Sequence, residues 1–419
     1  MKRTKGHAEF ITGLDIGSTA IRVAVGQLTV APGAHPHLQI VGAAEVPSEG
    51  VQKGVITSID EAVSAISHAL ESAERLVGVP IEHVWAGMSG AQSVCHDSKG
   101  VVAVARTDGE ITDEDVERAV EAAKTVAPPL NYEILHVLPR SFAVDGQTGI
   151  KDPVGMTGIR LEVDAKIIYG LTAHVKNITK TIYRTGVDID DFVLSILAAG
   201  SVVLSPRQKE LGAVVVNIGG ATTSLTVYEE GDILHTAVLP IGSAHITNDL
   251  ALGLKTSIDI AERVKIEYGQ CVSGEVHKKD MVDLSVLGTR DSEMVSRYYI
   301  AQIIEARVSE ILEKADGELQ KIRRSGLLPA GVYFIGGGAH IGGLLELAKE
   351  ELRLPSALGY PLGVESISDK VNDVGFASAI GLVKWGTEAM ERTRQKPAGF
   401  NVGGKIVTTM QKIFKSLVP

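Results

Sequence analysis

Three glycine-rich turns, each directly following an aliphatic run, are the feature that most constrains the fold of this chain. The turns at Gly17 and at residues 219–220 lie between two aliphatic runs, a pattern that predicts a strand, a tight turn and a second strand. The turn at residues 336–338 follows the aliphatic run 331–335 and precedes a helical pattern at 341–351. Strands and helices that alternate in this way predict an α/β protein.

Helical periodicity predicts several helices between and after the turns. Ser58 and Glu61 have the three-residue spacing of a capping box, so we expect a helix to begin there. Thr112 and Asp115 have the same spacing and predict a second helix start. The predicted helices cover residues 58–77, 112–123, 244–270, 294–324 and 341–351.

The first two turns carry groups that suit a metal-bound polyphosphate. A strand that ends in Asp15 and continues into Gly17 and two hydroxyl residues presents a carboxylate, free backbone N–H groups and hydroxyls at one point. An ordinary hairpin turn is the alternative for each turn alone, but two such hairpins followed by a third glycine turn favour a ligand. The candidate phosphate-binding residues are Asp15, Gly17, Ser18, Thr19, Asn217, Gly219, Gly220, Ala221, Thr222 and Thr223.

The third turn suits a ligand that lies flat against the backbone. Consecutive glycines at the end of a strand allow this close approach, because any Cβ atom would block it. The candidate ligand-contacting residues of this turn are Gly336, Gly337, Gly338 and Ala339.

Charge and hydropathy argue against two classes of protein. The formal net charge of -10 argues against a nucleic-acid partner bound through a general basic surface. The longest apolar stretch, residues 192–204, is too short to span a bilayer and is interrupted by Ser195 and Gly200. Residues 1–10 lack the apolar segment of a signal peptide. We therefore expect a chain that does not cross a membrane.

The C-terminal residues differ in composition from the rest of the chain. Residues 392–419 contain six basic residues and no acidic one, and residues 391–404 have the composition of a flexible linker. Over residues 405–418 the apolar side chains fall within about 140° of a helical wheel, which favours an amphipathic helix at 405–419 that binds a membrane surface. A terminal helix that packs on the protein body is the alternative. The candidate anchor residues are Ile406, Met410, Ile413, Phe414 and Leu417 on the apolar face, with Lys412 and Lys415 beside it.

Longer strings between the first two turns make a family resemblance specific. They are WAGMSG at 85–90, EITDEDV at 110–116, EILHVLPR at 133–140 and DPVGMTGIRL at 152–161. Together with the three turns, they resemble the FtsA family of bacterial cell-division proteins, a branch of the superfamily of actin, heat-shock chaperones and sugar kinases. The resemblance runs in order from residue 10 to residue 385.

This resemblance implies a two-lobed actin-like α/β fold, in which two ribonuclease H-like lobes close on ATP. It also implies an FtsA-type subdomain inserted in the first lobe and a C-terminal amphipathic helix. The expected divisions are 8–82, 165–207 and 359–390 for the first lobe, 83–164 for the insert, 208–243 and 329–358 for the core of the second lobe, 244–328 for its far subdomain, 391–404 for the linker and 405–419 for the amphipathic helix.

The superfamily pattern also implies ligand roles for positions of this chain. Glu262 and Lys265 match the helix residues that hold the adenosine, although an exposed i,i+3 ion pair is the alternative. The glycine turn at residues 336–339 matches the adenosine motif. ATP and Mg²⁺ are the implied cofactors, with Asp15 and, through a water molecule, Asn217 near the metal.

Three positions depart from the wider superfamily. Asn217 and Ser224 stand where the second phosphate motif usually has aspartate, and Ser195 stands where the chaperones have an acidic residue. An amide carries no charge and is a weaker magnesium anchor than a carboxylate, and no other residue is an obvious base for water. We expect ATP to be bound tightly and hydrolysed slowly or not at all, which argues against a sugar kinase.

The resemblance implies a role in cell division at the cytoplasmic face of the cell membrane. A peripheral protein of this family polymerises with itself, tethers the C-terminal tail of the tubulin-like protein FtsZ at the division septum and recruits later division proteins. In the far subdomain, Arg297, Arg307 and Lys314 are candidate partners for acidic groups of the FtsZ tail. A solvated surface charge is the alternative for each of them.

Two further interpretations follow from individual residues. His136, flanked by Leu135 and Val137, is interpreted as a packed histidine rather than a proton shuttle. The pilus-assembly adaptor PilM is the alternative family, but the amphipathic tail and the string GMTG at 155–158 favour FtsA.

Overall fold

A computed structural model describes residues 8–29, 37–90, 93–125, 128–288, 294–366 and 369–395. The amphipathic tail and residues 396–404 of the predicted linker lie outside this range. Numbered along the chain, the strands are β1 (Ala8–Ile16), β2 (Ala20–Thr29), β3 (His37–Pro47), β4 (Val51–Gln52), β5 (Val55–Ile56), β6 (His83–Met88), β7 (Val94–Ala103), β8 (Tyr132–Val144), β9 (Gln147–Ile150), β10 (Arg160–Leu171), β11 (Asp188–Leu194), β12 (Ala213–Ile218), β13 (Thr223–Glu229), β14 (Asp232–Leu239), β15 (Met281–Asp283), β16 (Met294–Ser296), β17 (Gly331–Ile335), β18 (Ser356–Leu358) and β19 (Glu365–Ser366). The α-helices are α1 (Ile59–Val77), α2 (Asp113–Ala123), α3 (Thr172–Tyr183), α4 (Ser195–Val203), α5 (Pro206–Leu211), α6 (Ser243–Leu254), α7 (Ile258–Tyr268), α8 (Arg297–Lys321), α9 (Leu344–Leu352) and α10 (Ala377–Gln395).

The sheets of the two lobes share one arrangement of five strands, to which β19 adds a sixth in the first lobe. In the first lobe the order is β11-β6-β1-β2-β3-β19, with β1, β2 and β3 antiparallel and β6 and β11 parallel to β1. In the second lobe the order is β14-β13-β12-β17-β18, again three antiparallel strands followed by two parallel ones. The central strand β12 is almost entirely buried, as expected for an aliphatic strand covered on both faces.

A third sheet forms the inserted subdomain. Its antiparallel strands lie in the order β7-β10-β8-β9, and α2 packs on β7 and β10. The expected boundaries of the insert at residues 83 and 164 need correction. Strand β6 pairs with β1 and β11 and so belongs to the first lobe, whereas β10 continues in the sheet of the insert to Leu171.

Three predictions of helix boundaries also need correction. The predicted helix 244–270 is two helices, because the chain turns at Lys255 (φ 53°) and Ser257 then caps α7. Ser58 precedes α1, but its side chain makes no capping hydrogen bond, so the first predicted capping box is wrong. Helix α10 extends to Gln395, five residues into the predicted linker 391–404. The second capping box, between Thr112 and Asp115, is confirmed.

The helices α4 and α10 lie between the lobes and position the base of the cleft. Helix α4 is apolar, and it packs with the buried side chains of Ala379, Ile380, Leu382 and Val383 of α10 in a core that extends from the first lobe into the second. A Cβ on Gly381 of α10 would lie 2.2 Å from the carbonyl oxygen of Ala198 in α4, so these helices approach closely. Of the helices in the described ranges, none is both long and apolar enough to cross a membrane.

Candidate functional site

A cavity of about 400 Å³ lies between the two lobes, where all three glycine turns meet. Fourteen of the sixteen ligand residues predicted for the turns and for α7 line it. From the first hairpin these are Asp15, Gly17, Ser18 and Thr19, from the second Asn217, Gly219, Gly220, Ala221 and Thr222, from α7 Glu262 and Lys265, and from the third turn Gly336, Gly337 and Gly338.

The two hairpins have the same turn geometry and meet at their tips. The N–H of Gly17 donates to the carbonyl of Ala20 (3.1 Å), and the N–H of Gly219 donates to the carbonyl of Thr222 (2.9 Å). A Cβ on Gly220 would lie 1.8 Å from Oγ1 of Thr19. Only glycine at this position allows the hairpin tips to approach across the cleft.

At the first hairpin the cavity is lined by a carboxylate and a guanidinium group, which lie opposite each other on two adjacent strands. Asp15 on β1 pairs in register with Arg22 on β2. Burial raises the pKa of the Asp15 carboxyl, while a hydrogen bond from Ser195 (2.8 Å) and the charge of Arg22 oppose this rise. Arg22 also forms an ion pair with Glu45 (2.7 Å), and its guanidinium lies 5.7 Å from the centre of the Phe376 ring.

At the second hairpin the equivalent pair is neutral. Asn217 on β12 pairs in register with Ser224 on β13, and both line the cavity. The two hairpins therefore present one charged pair and one uncharged pair to the space between them. The neutral residues were expected from the sequence and Arg22 was not, although its position opposite Asp15 follows from a hairpin with a turn at residues 17–19.

Glu262 and Lys265 form the ion pair that their spacing predicts, and Lys265 is buried rather than exposed. The Nζ atom of Lys265 donates to Glu262 Oε2 (2.6 Å) and to Thr247 Oγ1 (2.9 Å). Thr247 in turn donates to the Glu262 carboxylate. The network links α6 to α7 and holds both charged side chains at the wall of the cavity, so the surface ion pair is not a sufficient explanation.

The three glycines of the third turn have different roles. Gly336 adopts φ 86° and ψ 169°, a conformation open only to glycine, and a Cβ there would lie 2.1 Å from Asn217 Oδ1. A Cβ on Gly338 would lie 2.4 Å from Ile218 Cγ2. At Gly337 nothing lies within 4 Å of the added atom, because this position faces the cavity. Gly337 is thus the position at which a side chain would enter the cavity without disturbing the fold.

Two predicted ligand residues point elsewhere. Thr223 is fully buried, and its hydroxyl donates to the carbonyl of Ile241 (2.8 Å). Ala339 is 4% exposed and packs in the core. Neither lines the cavity. In each case the motif continues one residue beyond the turn, where the chain has already re-entered a strand or the protein core.

Several residues that the sequence analysis missed also line the cavity. Ser89 follows β6, and its hydroxyl donates to the carbonyl of Ile16 (3.4 Å). Ring atom Nε2 of His340 lies 3.0 Å from Asp373 Oδ1. The strand-end position of Ser89 beside β1 was the available signal for it. The missed lining residues include Arg22, Ser89, Ser243, His340, Gly375 and Ser378.

The candidate FtsZ-binding cations in the far subdomain have different surroundings. Arg307 binds Asp249 through Nε (2.5 Å) and Nη2 (2.9 Å) and also contacts Glu310. Its hydrogen bonds to Asp249 raise the pKa of Arg307. The Nε atom of Arg297, at the start of α8, is buried and has no hydrogen-bond partner within the described ranges. Arg307 is therefore committed to an internal ion pair, and Arg297 is not.

Comparison with known sequences identifies the family. The family model for cell division protein FtsA matches residues 214–381, and the model for the SHS2 domain inserted in FtsA matches residues 90–169. The cell division protein FtsA of Pseudomonas aeruginosa is 34% identical over 380 residues, which are 91% of this chain and 90% of that protein. The chain belongs to the FtsA family. FtsA of Bacillus subtilis is 37% identical over 90% of this chain and 83% of that protein.

Solved structures confirm the actin-like fold predicted for this FtsA-family chain. A chain of the PilM–PilN type IV pilus biogenesis complex superposes with a TM-score of 0.66 at 18% identity, over 90% of this chain and 98% of that chain. MreB5 of Spiroplasma citri bound to ADP superposes with a TM-score of 0.53 at 13% identity, over 93% and 99% of the two chains. At sequence identities this low, the similarity concerns the fold alone. The more similar sequence relatives place the chain in the FtsA family rather than with PilM.

Proposed function

We propose that this protein is an ATP-binding, filament-forming division protein that tethers the C-terminal tail of FtsZ to the cytoplasmic face of the membrane at the septum and recruits later division proteins. The interlobe cavity carries this proposal, because it combines two hairpin tips, a buried lysine and an open glycine position. Membership of the FtsA family supports the division role. The nucleotide-bound MreB5 structures share the fold and favour a nucleotide in this cavity.

The hairpin tips are the proposed phosphate end of the site. Backbone N–H groups of the two turns and the hydroxyls of Ser18, Thr19 and Thr222 surround one end of the cavity. The hydroxyl of Ser18 already accepts from the N–H of Gly54 (2.7 Å), so its proton is available for a phosphate oxygen. Arg22 supplies a positive charge there that can pair with phosphate as well as with Glu45.

Glu262, Lys265 and Gly337 are the proposed adenosine end. The carboxylate of Glu262 can accept from sugar hydroxyls, and the flat backbone at Gly337 can lie against a base. The internal network around Lys265 fixes the orientation of both charged groups before a ligand arrives. A preformed site of this kind loses little side-chain entropy on binding.

Asp15 and, through water, Asn217 are the residues that would hold Mg²⁺ beside the phosphates. In the described ranges no group of three or more histidine, cysteine, aspartate or glutamate residues is arranged to hold a metal ion. A magnesium ion would therefore take most of its ligands from phosphate and water, as is usual for nucleotide-bound magnesium. Such an ion would neutralise phosphate charge; Asp15, Asn217 and Arg22 position the nucleotide around it.

ATP would act mainly as a structural ligand that joins the lobes in a shape able to polymerise. Asn217, Ser224 and Ser195 are all neutral, and in this structure the hydroxyl of Ser195 is engaged with Asp15 rather than open to water. The second hairpin, which lies within the described ranges, contributes only neutral side chains to the cavity. A ligand that binds only the folded, closed protein also stabilises it.

The far subdomain is the proposed docking surface for the FtsZ tail, and Arg297 is its strongest candidate. A buried guanidinium nitrogen without a partner is costly and favours an incoming acceptor. Lys314 lies 3.5 Å from Glu310 and is half exposed, so it remains a weaker candidate. Membrane attachment is assigned to residues 405–419 on their composition alone.

One reconstitution tests the whole proposal. A labelled peptide of the FtsZ C-terminal tail is sedimented with vesicles of phosphatidylcholine and phosphatidylglycerol, in the presence of the full-length protein and ATP. We expect the peptide to pellet only when protein, ATP and vesicles are all present. A chain ending at Gly404 should bind the peptide and leave it in the supernatant. Peptide that pellets equally without ATP, or with the truncated chain, would contradict the proposal.

A further inference from the structure

A single side chain of the insert bonds directly to the end of β11, next to a residue that contacts the cavity-lining Asp15. His136 lies on β8, and its Nε2 atom accepts a hydrogen bond from the backbone N–H of Leu194 (3.1 Å). Leu194 is the last residue of β11 and immediately precedes α4. Its N–H therefore depends on His136, which comes from a different sheet and from 58 positions earlier in the chain.

The next residue connects this bond to the cavity. Ser195 is the first residue of α4, and its hydroxyl donates to Asp15 Oδ1 at 2.8 Å. The space around this contact is tight, since a Cβ on Gly87 would lie 2.6 Å from Ser195 Oγ and 3.0 Å from Asp15 Oδ1. Because there is no free space around Ser195, a shift of the Leu194 backbone would also displace the Asp15 carboxylate.

The His136 ring is held on its other side by the helix that closes the first lobe. Its centre lies 5.9 Å from that of the Trp385 ring on α10. The neighbouring residue Leu135 packs against the buried cores of the first lobe. His136 is thus fixed by the insert, by α10 and by the start of α4, and it can transmit a change in any one of them.

We propose that His136 is a positioning residue that couples the inserted subdomain to the nucleotide cavity, by holding Leu194 and Ser195 so that Ser195 orients Asp15. The inference rests on the proposed nucleotide function of the cavity. A ligand or partner bound to the insert then changes the affinity for the magnesium nucleotide, and the nucleotide changes the affinity of the insert by the same factor.

The test compares magnesium-dependent and magnesium-independent nucleotide binding by isothermal titration calorimetry. His136→Leu removes the acceptor, and His136→Gln restores one at the position of Nε2. We expect His136→Leu to weaken MgATP binding about tenfold, with little change in ATP affinity in EDTA and with near-wild-type binding by His136→Gln. A purely structural loss would lower both affinities alike.

A double-variant cycle with Ser195→Ala tests the route. If His136 acts through Ser195, the double variant should bind MgATP no more weakly than either single variant. Ser195→Ala leaves the insert intact, so it shows the effect even if His136→Leu folds poorly. Additive losses, or MgATP binding by His136→Leu equal to that of the wild type, would overturn the coupling. Failure of the wild-type protein to bind MgATP would instead overturn the proposed function itself.

We expect the reciprocal effect to be measurable in the insert by hydrogen exchange. Hydrogen exchange of the β8 amides should slow when MgATP binds to the wild-type protein, because the nucleotide fixes Asp15, Ser195 and the Leu194 backbone in turn. In His136→Leu the same amides should exchange at a rate independent of MgATP. Slowing that persists in His136→Leu would contradict the assignment of His136 to this role.

Discussion

At the level of single residues, the two hairpins of the cavity share their backbone and differ in charge. The positions of Asp15 and Arg22 in the first lobe correspond in register to those of Asn217 and Ser224 in the second. The first hairpin can therefore attract a cation and a phosphate together, whereas the second offers only hydrogen bonds. This asymmetry supports nucleotide binding over rapid hydrolysis.

A substitution at Gly337 should separate ligand binding from folding. Gly337→Val places its side chain in the cavity, where nothing else lies within 4 Å, so we expect ATP binding to be abolished at unchanged melting temperature. Gly336→Ala is the matched variant. An alanine at this positive φ, with its Cβ against Asn217 Oδ1, should cost roughly 1–3 kcal/mol of stability. Calorimetric titration with ATP and thermal unfolding distinguish the two. Wild-type affinity in Gly337→Val would exclude the third turn as the adenosine contact.

The two arginines of the far subdomain should also behave differently. Arg297→Ala should weaken binding of the FtsZ tail peptide at least about tenfold, equivalent to about 1.4 kcal/mol, without loss of stability. Arg307→Ala leaves Asp249 without its bidentate partner and should mainly lower the melting temperature. Fluorescence anisotropy of a labelled peptide measures the first effect. Unchanged peptide binding by Arg297→Ala would remove this residue from the docking surface.

His136 should make stability depend on pH in a defined window. Burial lowers the pKa of this histidine to about 4, whereas an unfolded histidine titrates near roughly 6.5. Its contribution is therefore complete above pH ~6.5 and is lost as the pH falls toward the folded-state value, by about 2 kcal/mol at pH ~5. Urea unfolding of the wild type and of His136→Gln checks this, because glutamine cannot titrate. If the difference in unfolding free energy between the wild type and His136→Gln were the same at pH ~6.5 and at pH ~5, the prediction would be contradicted.

Among the elements, the helices differ in how their starts are specified. At Thr112 the capping box forms, and the hydrogen bonds to Asp115 outweigh the effect of burial and lower its pKa to about 2. At Ser58 the same spacing produces no capping box, because the backbone N–H of Ser58 donates to the carbonyl of Gly50 (3.1 Å) instead of to Glu61. Spacing alone therefore permits a capping box, and the other partners of the same backbone groups decide whether it forms.

The C-terminal element should bind membranes weakly as a single copy and firmly in a filament. Burying Ile413, Phe414 and Leu417 at the interface gains about 1.5–3 kcal/mol each before ordering costs, and each nearby lysine adds about 1 kcal/mol on an anionic surface. Phe414→Glu should release the protein from anionic vesicles without changing its affinity for ATP. A filament would multiply the weak contacts through effective concentration.

Vesicle sedimentation at low and high salt checks this prediction. High salt should weaken the lysine contribution and leave the apolar contribution. Lys412→Gln is the matched variant. We expect it to reduce vesicle binding less than Phe414→Glu does, and we expect this reduction to disappear at high salt. Full sedimentation of the Phe414→Glu protein would instead favour a terminal helix that packs on the protein body.

For the whole molecule, the insert adds contacts with both lobes beyond the buried core that the lobes share. It bonds to the first lobe through His136, and it reaches the second lobe through Lys151, which pairs with Asp232 and donates to the carbonyl of Glu230 (3.0 Å). Closure of the lobes on a ligand would move the Lys151 contact, because this contact joins the insert to the second lobe. The insert is thus placed to respond to the state of the cleft.

The whole molecule should turn ATP over slowly. Because the second hairpin lacks an acidic residue at Asn217 and Ser224, we expect steady-state phosphate release well below about 1 s⁻¹, the lower end of typical enzymes. A coupled phosphate-release assay with MgATP measures it, and Asp15→Asn should remove any magnesium-dependent part. Rapid release that saturates with ATP and requires magnesium would support an enzymatic role instead.

The parts of this protein that the sequence alone determined are those governed by neighbours along the chain. Turn glycines, helical periodicity and the cap at Thr112 act within a few residues, so the hairpins, most helices and fourteen cavity-lining positions were predictable. The two-lobed fold, in contrast, was expected from the resemblance to the FtsA family and not from local spacing. The break at Lys255 was missed, because nothing in the periodicity of residues 244–270 marks a residue that adopts positive φ.

Tertiary structure decided which side chains meet across large distances in the sequence. It determined that Gly337 faces the cavity while Gly338 faces Ile218, that Arg307 is already paired with Asp249, and that His136 reaches Leu194. Each of these contacts joins residues tens of positions or more apart, and only the packing of separate sheets and helices brings them within bonding distance. Local sequence preferences do not specify contacts between distant residues, so these roles become apparent only in the folded chain.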